Sequence, residues 1–109
     1  MRTTYHLVPR RVWQAAGEPY APASLAQEGF IHCTDGAEEV AATANRYFAD
    51  EQDDLWAVVI DLDRVQAPVT YEDPRGVYPH VYGPIPDEAI VDVVTMPRDA
   101  SGVFGPPQS

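Results

Sequence analysis

Leu55-Trp56-Ala57-Val58-Val59-Ile60 is an unbroken apolar run set between the acidic stretch Asp50-Glu51-Gln52-Asp53-Asp54 and Asp61. Nothing in it alternates, so it predicts a strand covered on both faces at the centre of a sheet. The rest of the chain must supply flanking strands and covering layers. Thr3 to Val8, Val69 to Glu72 and Ile90 to Met96 have the β-branched and aromatic content of strands. Pro79-His80-Val81-Tyr82 is a strand segment held between two prolines, and alternation puts His80 and Tyr82 on one face.

Helical signals come earlier. Pro9 stops the first strand where proline readily begins a helix, and Arg10 to Ala16 carries an apolar stripe at Val12, Trp13 and Ala16 before Gly17. Ser24 to Glu28 predicts a short helix with Ser24 as its cap, ended by Gly29. Thr34 or Asp35 is suited to cap a long helix from Gly36 to Phe48, with Val40, Ala41, Ala44, Tyr47 and Phe48 on its apolar face. Glu38 and Glu39 in the first turn and Arg46 in the last suit the helix dipole. The order is α+β, with helices concentrated in the N-terminal half. Residues 1–97 read as one domain and 98–109 as an irregular tail rich in glycine and proline.

Between the two helices lies Glu28-Gly29-Phe30-Ile31-His32-Cys33-Thr34, which reads as a buried strand. Phe30, His32 and Thr34 share one face; Ile31 and Cys33 share the other. Cys33 is the only cysteine, so no internal disulfide forms, and its apolar setting predicts a core residue rather than a reactive thiol.

The formal net charge of −10 argues against a broad nucleic-acid surface, which needs a basic stripe. All seven basic residues are arginine, which excludes a Schiff-base lysine and the lysine of a phosphate-binding P-loop. No apolar run approaches the roughly 20 residues of a membrane helix. The N-terminus lacks the apolar core of a secretion signal, so the chain is expected in the cytoplasm. The acidic stretch lacks the ligand order of a calcium loop and reads as a solvated loop.

The three histidines, His6, His32 and His80, sit in separate strands. A lone histidine in such a strand is more often a satisfied structural residue than a catalyst. Together in one cleft they would offer donors and acceptors suited to a polar or phosphate-bearing ligand. Three imidazoles are also the pattern of a catalytic zinc site, although no close-spaced pair supports it here.

Tyr5-His6, the segment from Glu28 to Thr34, Ala44-Asn45-Arg46-Tyr47-Phe48 and Pro79-His80-Val81-Tyr82-Gly83-Pro84 together resemble a bacterial family of small proteins of unknown function. The match spans about residues 3 to 96. Members of that family resemble the ADP-ribosyltransferase fold, a split β-sheet with helices, and are similar in site pattern to the branch containing RNA 2′-phosphotransferases. The resemblance implies NAD or an ADP-ribose-type compound as substrate, with no metal, and His6 and His32 orienting its riboses. His32, His80 and Tyr82 are then the candidate catalytic residues, and Arg10, Arg11 or Arg46 would offset pyrophosphate charge. Superfamily members carry a glutamate on a later strand where this chain has His80 and Tyr82, with Glu72 on the neighbouring strand as a substitute. Two alternatives stay open, a non-catalytic binding module of the same fold and a three-histidine metal-dependent hydrolase. The partner expected is a small nucleotide ligand, and the oligomeric state is open.

Overall fold

In a computed structural model describing residues 1–108, the apolar run becomes β3, Leu55–Asp61. It is the middle strand of an antiparallel sheet, between β1 (Thr3–Pro9) and β6 (Ile90–Thr95). β1 runs along its whole length, from Thr3 opposite Asp61 to Pro9 opposite Leu55. The run has no alternation because both faces are covered. Leu55, Ala57 and Val59 pack with Val40, Ala41 and Ala44 of α3 (Ala37–Tyr47) on one side. Trp56, Val58 and Ile60 pack with Ile31, Val81 and Ile85 on the other.

A second antiparallel sheet contains β2 (Ile31–His32), β5 (Pro79–Val81) and β4 (Val69–Tyr71) in that order. The sheets meet where Tyr5 and Thr34 exchange backbone hydrogen bonds of 3.0 and 2.8 Å. The result is a mixed α/β domain with two antiparallel sheets, in which no helix is long and apolar enough to cross a membrane among the described residues. Its remaining α-helices are α1 (Arg10–Ala15) and α2 (Ala23–Glu28).

Several local expectations change. Ser24 is not a cap: α2 starts after Pro22 without a side-chain cap. Neither Thr34 nor Asp35 caps α3, which starts after Gly36 at φ 92°, a left-handed conformation that favours glycine. Asp35 instead accepts the Tyr71 hydroxyl at 2.6 Å. Gly29 closes α2 as read, at φ 86°. The strand after it alternates as expected at Ile31 and Cys33, which are buried; on the other face Thr34 is also buried, and His32 is exposed. Burial pushes the Cys33 thiol up to about 12, as befits a core residue.

The acidic stretch is not simply solvated. Arg10 meets Asp53 at 3.0 Å and Asp54 at 3.4 Å, while Arg11 meets Glu51 at 2.8 Å, fastening α1 to the loop before β3. Residues 98–108 carry no helix or strand, yet they fold back onto the domain. Phe104 is 4% exposed, and Asn45 of α3 holds its backbone through bonds of 3.0 and 2.8 Å. Ser109, the end of the expected tail, lies outside the described residues.

Candidate functional site

The second sheet presents one polar face. His32, His80 and Thr70 are direct partners across β2, β5 and β4, so the period of two that buries Ile31 and Val81 and half-buries Val69 turns these three the opposite way. The His32 and His80 ring centroids are 5.5 Å apart. Phe30 stacks on His80 at 4.0 Å with 14° between planes and meets His32 edge-on at 4.7 Å. Two imidazoles from distant parts of the chain therefore share one aromatic neighbour.

Each has a carboxylate beside it. Glu28, the last residue of α2, reaches over the Gly29 turn to put Oε2 2.7 Å from His32 Nε2. Glu72, just after β4, accepts the Thr70 hydroxyl at 2.9 Å and the Tyr82 hydroxyl, both at Oε1. Those two hydroxyls, Tyr82 first, hold the Glu72 carboxyl below its usual range, and the Tyr82 phenol is raised in return by the carboxylate. His80 Nδ1 lies 3.5 Å from the same oxygen; that nitrogen is buried and has no hydrogen bond.

Glu28, His32, Glu72 and His80 line a cleft of about 750 Å³, whose far wall is the end of α3 with Arg46 and Tyr47, and which Tyr78 and Asp73 complete. Nearby tyrosine hydroxyls, Tyr78 first and then Tyr47, raise the Arg46 guanidinium further. Arg46 is exposed and available to an anion.

His6 also borders the cleft, but its role differs from that expected. Its Nδ1 lies 2.7 Å from the His32 carbonyl oxygen and its Nε2 2.7 Å from the Tyr20 hydroxyl. A carbonyl can only accept, so Nδ1 carries the proton and Nε2 accepts from Tyr20. Burial lowers the imidazole to about 4. A neutral His6 with both nitrogens engaged braces the His32 backbone and leaves no ring nitrogen for a ribose. Arg10 is a second correction: Asp53 and Asp54 hold it on the α1 side, and it does not border the cleft.

Of the expected set, His32, His80 and Arg46 line the cleft, whereas Tyr82 does not border it and meets the site only through its hydroxyl on Glu72. Glu28, Phe30, Tyr78 and Tyr20 join them without any role that the sequence predicts. Glu28 was detectable as the residue four before His32, and Tyr78 from the alternation Tyr78, His80, Tyr82. No local signal marks Tyr20.

A small mixed α/β domain with two antiparallel sheets and a histidine-lined cleft is the class that fold and geometry define. The sequence profile of DUF952, a protein of unknown function, matches residues 7–93, and the chain belongs to this family. The X-ray structure of protein CC0527 from Caulobacter crescentus superposes with a TM-score of 0.77 at 24% identity, covering 98% of this chain and 94% of that one. The solution NMR structure of CC0527 gives 0.72 at 26% identity, covering 94% and 91%. These likenesses establish the fold. Among curated proteins, none matches.

Proposed function

We propose that the cleft binds NAD or a related ADP-ribose compound and supports transfer or hydrolysis at the ribose anomeric carbon. The observation that carries this reading is the grouping of His32, His80 and Glu72 in one cleft. The carboxylate needed on a later strand is supplied by Glu72 from the end of β4, beside His80 on β5. The reading also draws on the resemblance to ADP-ribosyltransferases, which the arrangement of the strands in two antiparallel sheets supports.

Breaking the bond from C1′ to the nicotinamide nitrogen sends the electron pair to nicotinamide and leaves positive charge on the ribose ring. A carboxylate kept ionised, as Glu72 is by its two hydroxyl partners, stabilises that charge. His32 donates its Nε2 proton to Glu28, which leaves Nδ1 to take the proton of the attacking hydroxyl or water as the new bond to C1′ forms. His80 stands beside His32 on the same wall, Tyr82 holds Glu72 through its hydroxyl, and Arg46 on the far wall meets the pyrophosphate. The chain's charge of −10 favours a small-molecule ligand over RNA.

The motive for a non-catalytic module, a missing carboxylate, weakens with Glu72 at the site. A three-histidine metal hydrolase fits poorly because His6 spends both nitrogens on His32 and Tyr20. Among the described residues no three His, Cys, Asp or Glu side chains are grouped to hold a metal ion. Calorimetry of wild type and His32→Ala with NAD and ADP-ribose tests the proposal, together with nicotinamide release. Binding by wild type and loss in the variant are expected; no binding by wild type at millimolar ligand overturns it.

A further inference from the structure

The cleft does not end at Arg46. Tyr47 and Phe48 line it and also line a shallower trough of about 500 Å³, whose other walls are Arg11, Asp50, Glu51 and Gln52. Tyr47 is therefore the lip between two hollows. It is 70% exposed, against the sequence expectation that it joins the apolar face of α3, and the Arg46 guanidinium carbon lies over its ring, 5.8 Å from the centre. An exposed aromatic ring with a cation over one face can stack a heteroaromatic base on its other face and hold the attached phosphates at the cation.

The trough also orients such a ligand. Arg11 is already held by Glu51 and Asp53, and two carboxylates outnumber it there, so phosphate is favoured at Arg46 and disfavoured further along. Gln52 spends its amide N–H on the Asp50 carbonyl at 3.2 Å. Its side-chain oxygen and the Asp50 carboxylate have no hydrogen-bond partner among the described residues. Acceptors in that position suit a base that presents an amino group.

Resting on the reading of the cleft given above, we propose that Tyr47 is the stacking platform for the amino-bearing purine in the ligand's nucleotide half. The ligand then runs from a ribose at His32 and His80, through phosphates at Arg46, to the base over Tyr47.

Calorimetry of the full chain with ADP-ribose and ADP tests this in wild type, Tyr47→Ala and Tyr47→Trp. Loss of one base–aromatic stack weakens binding roughly 5- to 150-fold in Tyr47→Ala, while Tyr47→Trp keeps both affinities within about threefold. Circular dichroism of the variants should be unchanged, because the side chain is largely outside the core. Less than fivefold loss in Tyr47→Ala, or an equal loss in Tyr47→Trp, overturns the platform and leaves the cleft reading standing. Wild type that binds neither compound at millimolar concentration overturns both.

Discussion

His6 donates its Nδ1 proton to the carbonyl oxygen of His32 across 2.7 Å, so a buried imidazole fixes the backbone of an exposed one. Tyr20 closes the arrangement from behind with its hydroxyl on His6 Nε2 at 2.7 Å. Tyr20 in turn exchanges backbone bonds of 2.9 Å with Ile85. The placement of His32 is thus tied to β1, to the loop before α2 and to the segment before β6. One histidine is structural so that another can face the cleft, a division of labour that composition and alternation do not reveal.

The first prediction concerns pH. Burial holds His6 at about 4 against 6.5 in the unfolded chain. Above pH 6.5 both states are neutral and His6 imposes no cost. As pH falls below 6.5 the unfolded chain takes a proton that the fold refuses, so stability drops by about 1.4 kcal/mol per pH unit and levels off below about 4. Urea unfolding at pH 7.5 and 5 should differ by about 2 kcal/mol. In His6→Gln, stability is lower throughout and the His6 slope is gone; a persisting slope contradicts the assignment.

Phe104 should matter to stability far more than its place in an irregular tail suggests. Phe104→Ala is expected to cost about 3–5 kcal/mol, because the ring is buried among Val40, Leu55 and Met96. Arg98 also covers it, with its guanidinium carbon 4.1 Å from the ring centre. Thermal unfolding measures the loss.

The arginines separate by location. Arg46→Ala should weaken ADP-ribose about tenfold, the worth of one charged hydrogen bond to phosphate. Arg10→Ala should leave that affinity within about twofold and cost no more than about 1 kcal/mol, since the Arg10 side chain is itself about half exposed. Calorimetry and urea unfolding on both variants give the comparison.

Glu72→Gln removes the charge while keeping an oxygen that can accept from Thr70 and Tyr82. Nicotinamide release should fall roughly 100-fold or more, whereas ADP-ribose, which has no bond to nicotinamide to break, should bind within about threefold of wild type. Single-turnover release assays with calorimetry separate the two effects.

What the sequence makes legible follows from the range of the interactions involved. The Leu55–Ile60 run announces a central strand because its burial on two faces is written in consecutive residues. Likewise, alternation alone puts His80 and Tyr82 on one side, and Ile31 and Cys33 on the core side of β2. Arg10 is misread because its partners, Asp53 and Asp54, are more than forty positions away and only the β1–β3 pairing brings them near. The caps of α2 and α3 are misread because Ser24 and Asp35 are competent cap residues with other surroundings; Asp35 is taken by Tyr71. For His6, residue type and strand placement suggest a ligand contact, and only the tertiary bonds to His32 and Tyr20 reveal a brace.

In the proposed reading, His32 and His80 meet the ligand and His6 does not. The most direct measurement is an imidazole-resolved NMR titration of the full chain with ADP-ribose. Resonances of His32 and His80 should shift saturably together while those of His6 stay within a small fraction of that change. Unmoved His32 and His80 signals at millimolar ADP-ribose would contradict the account.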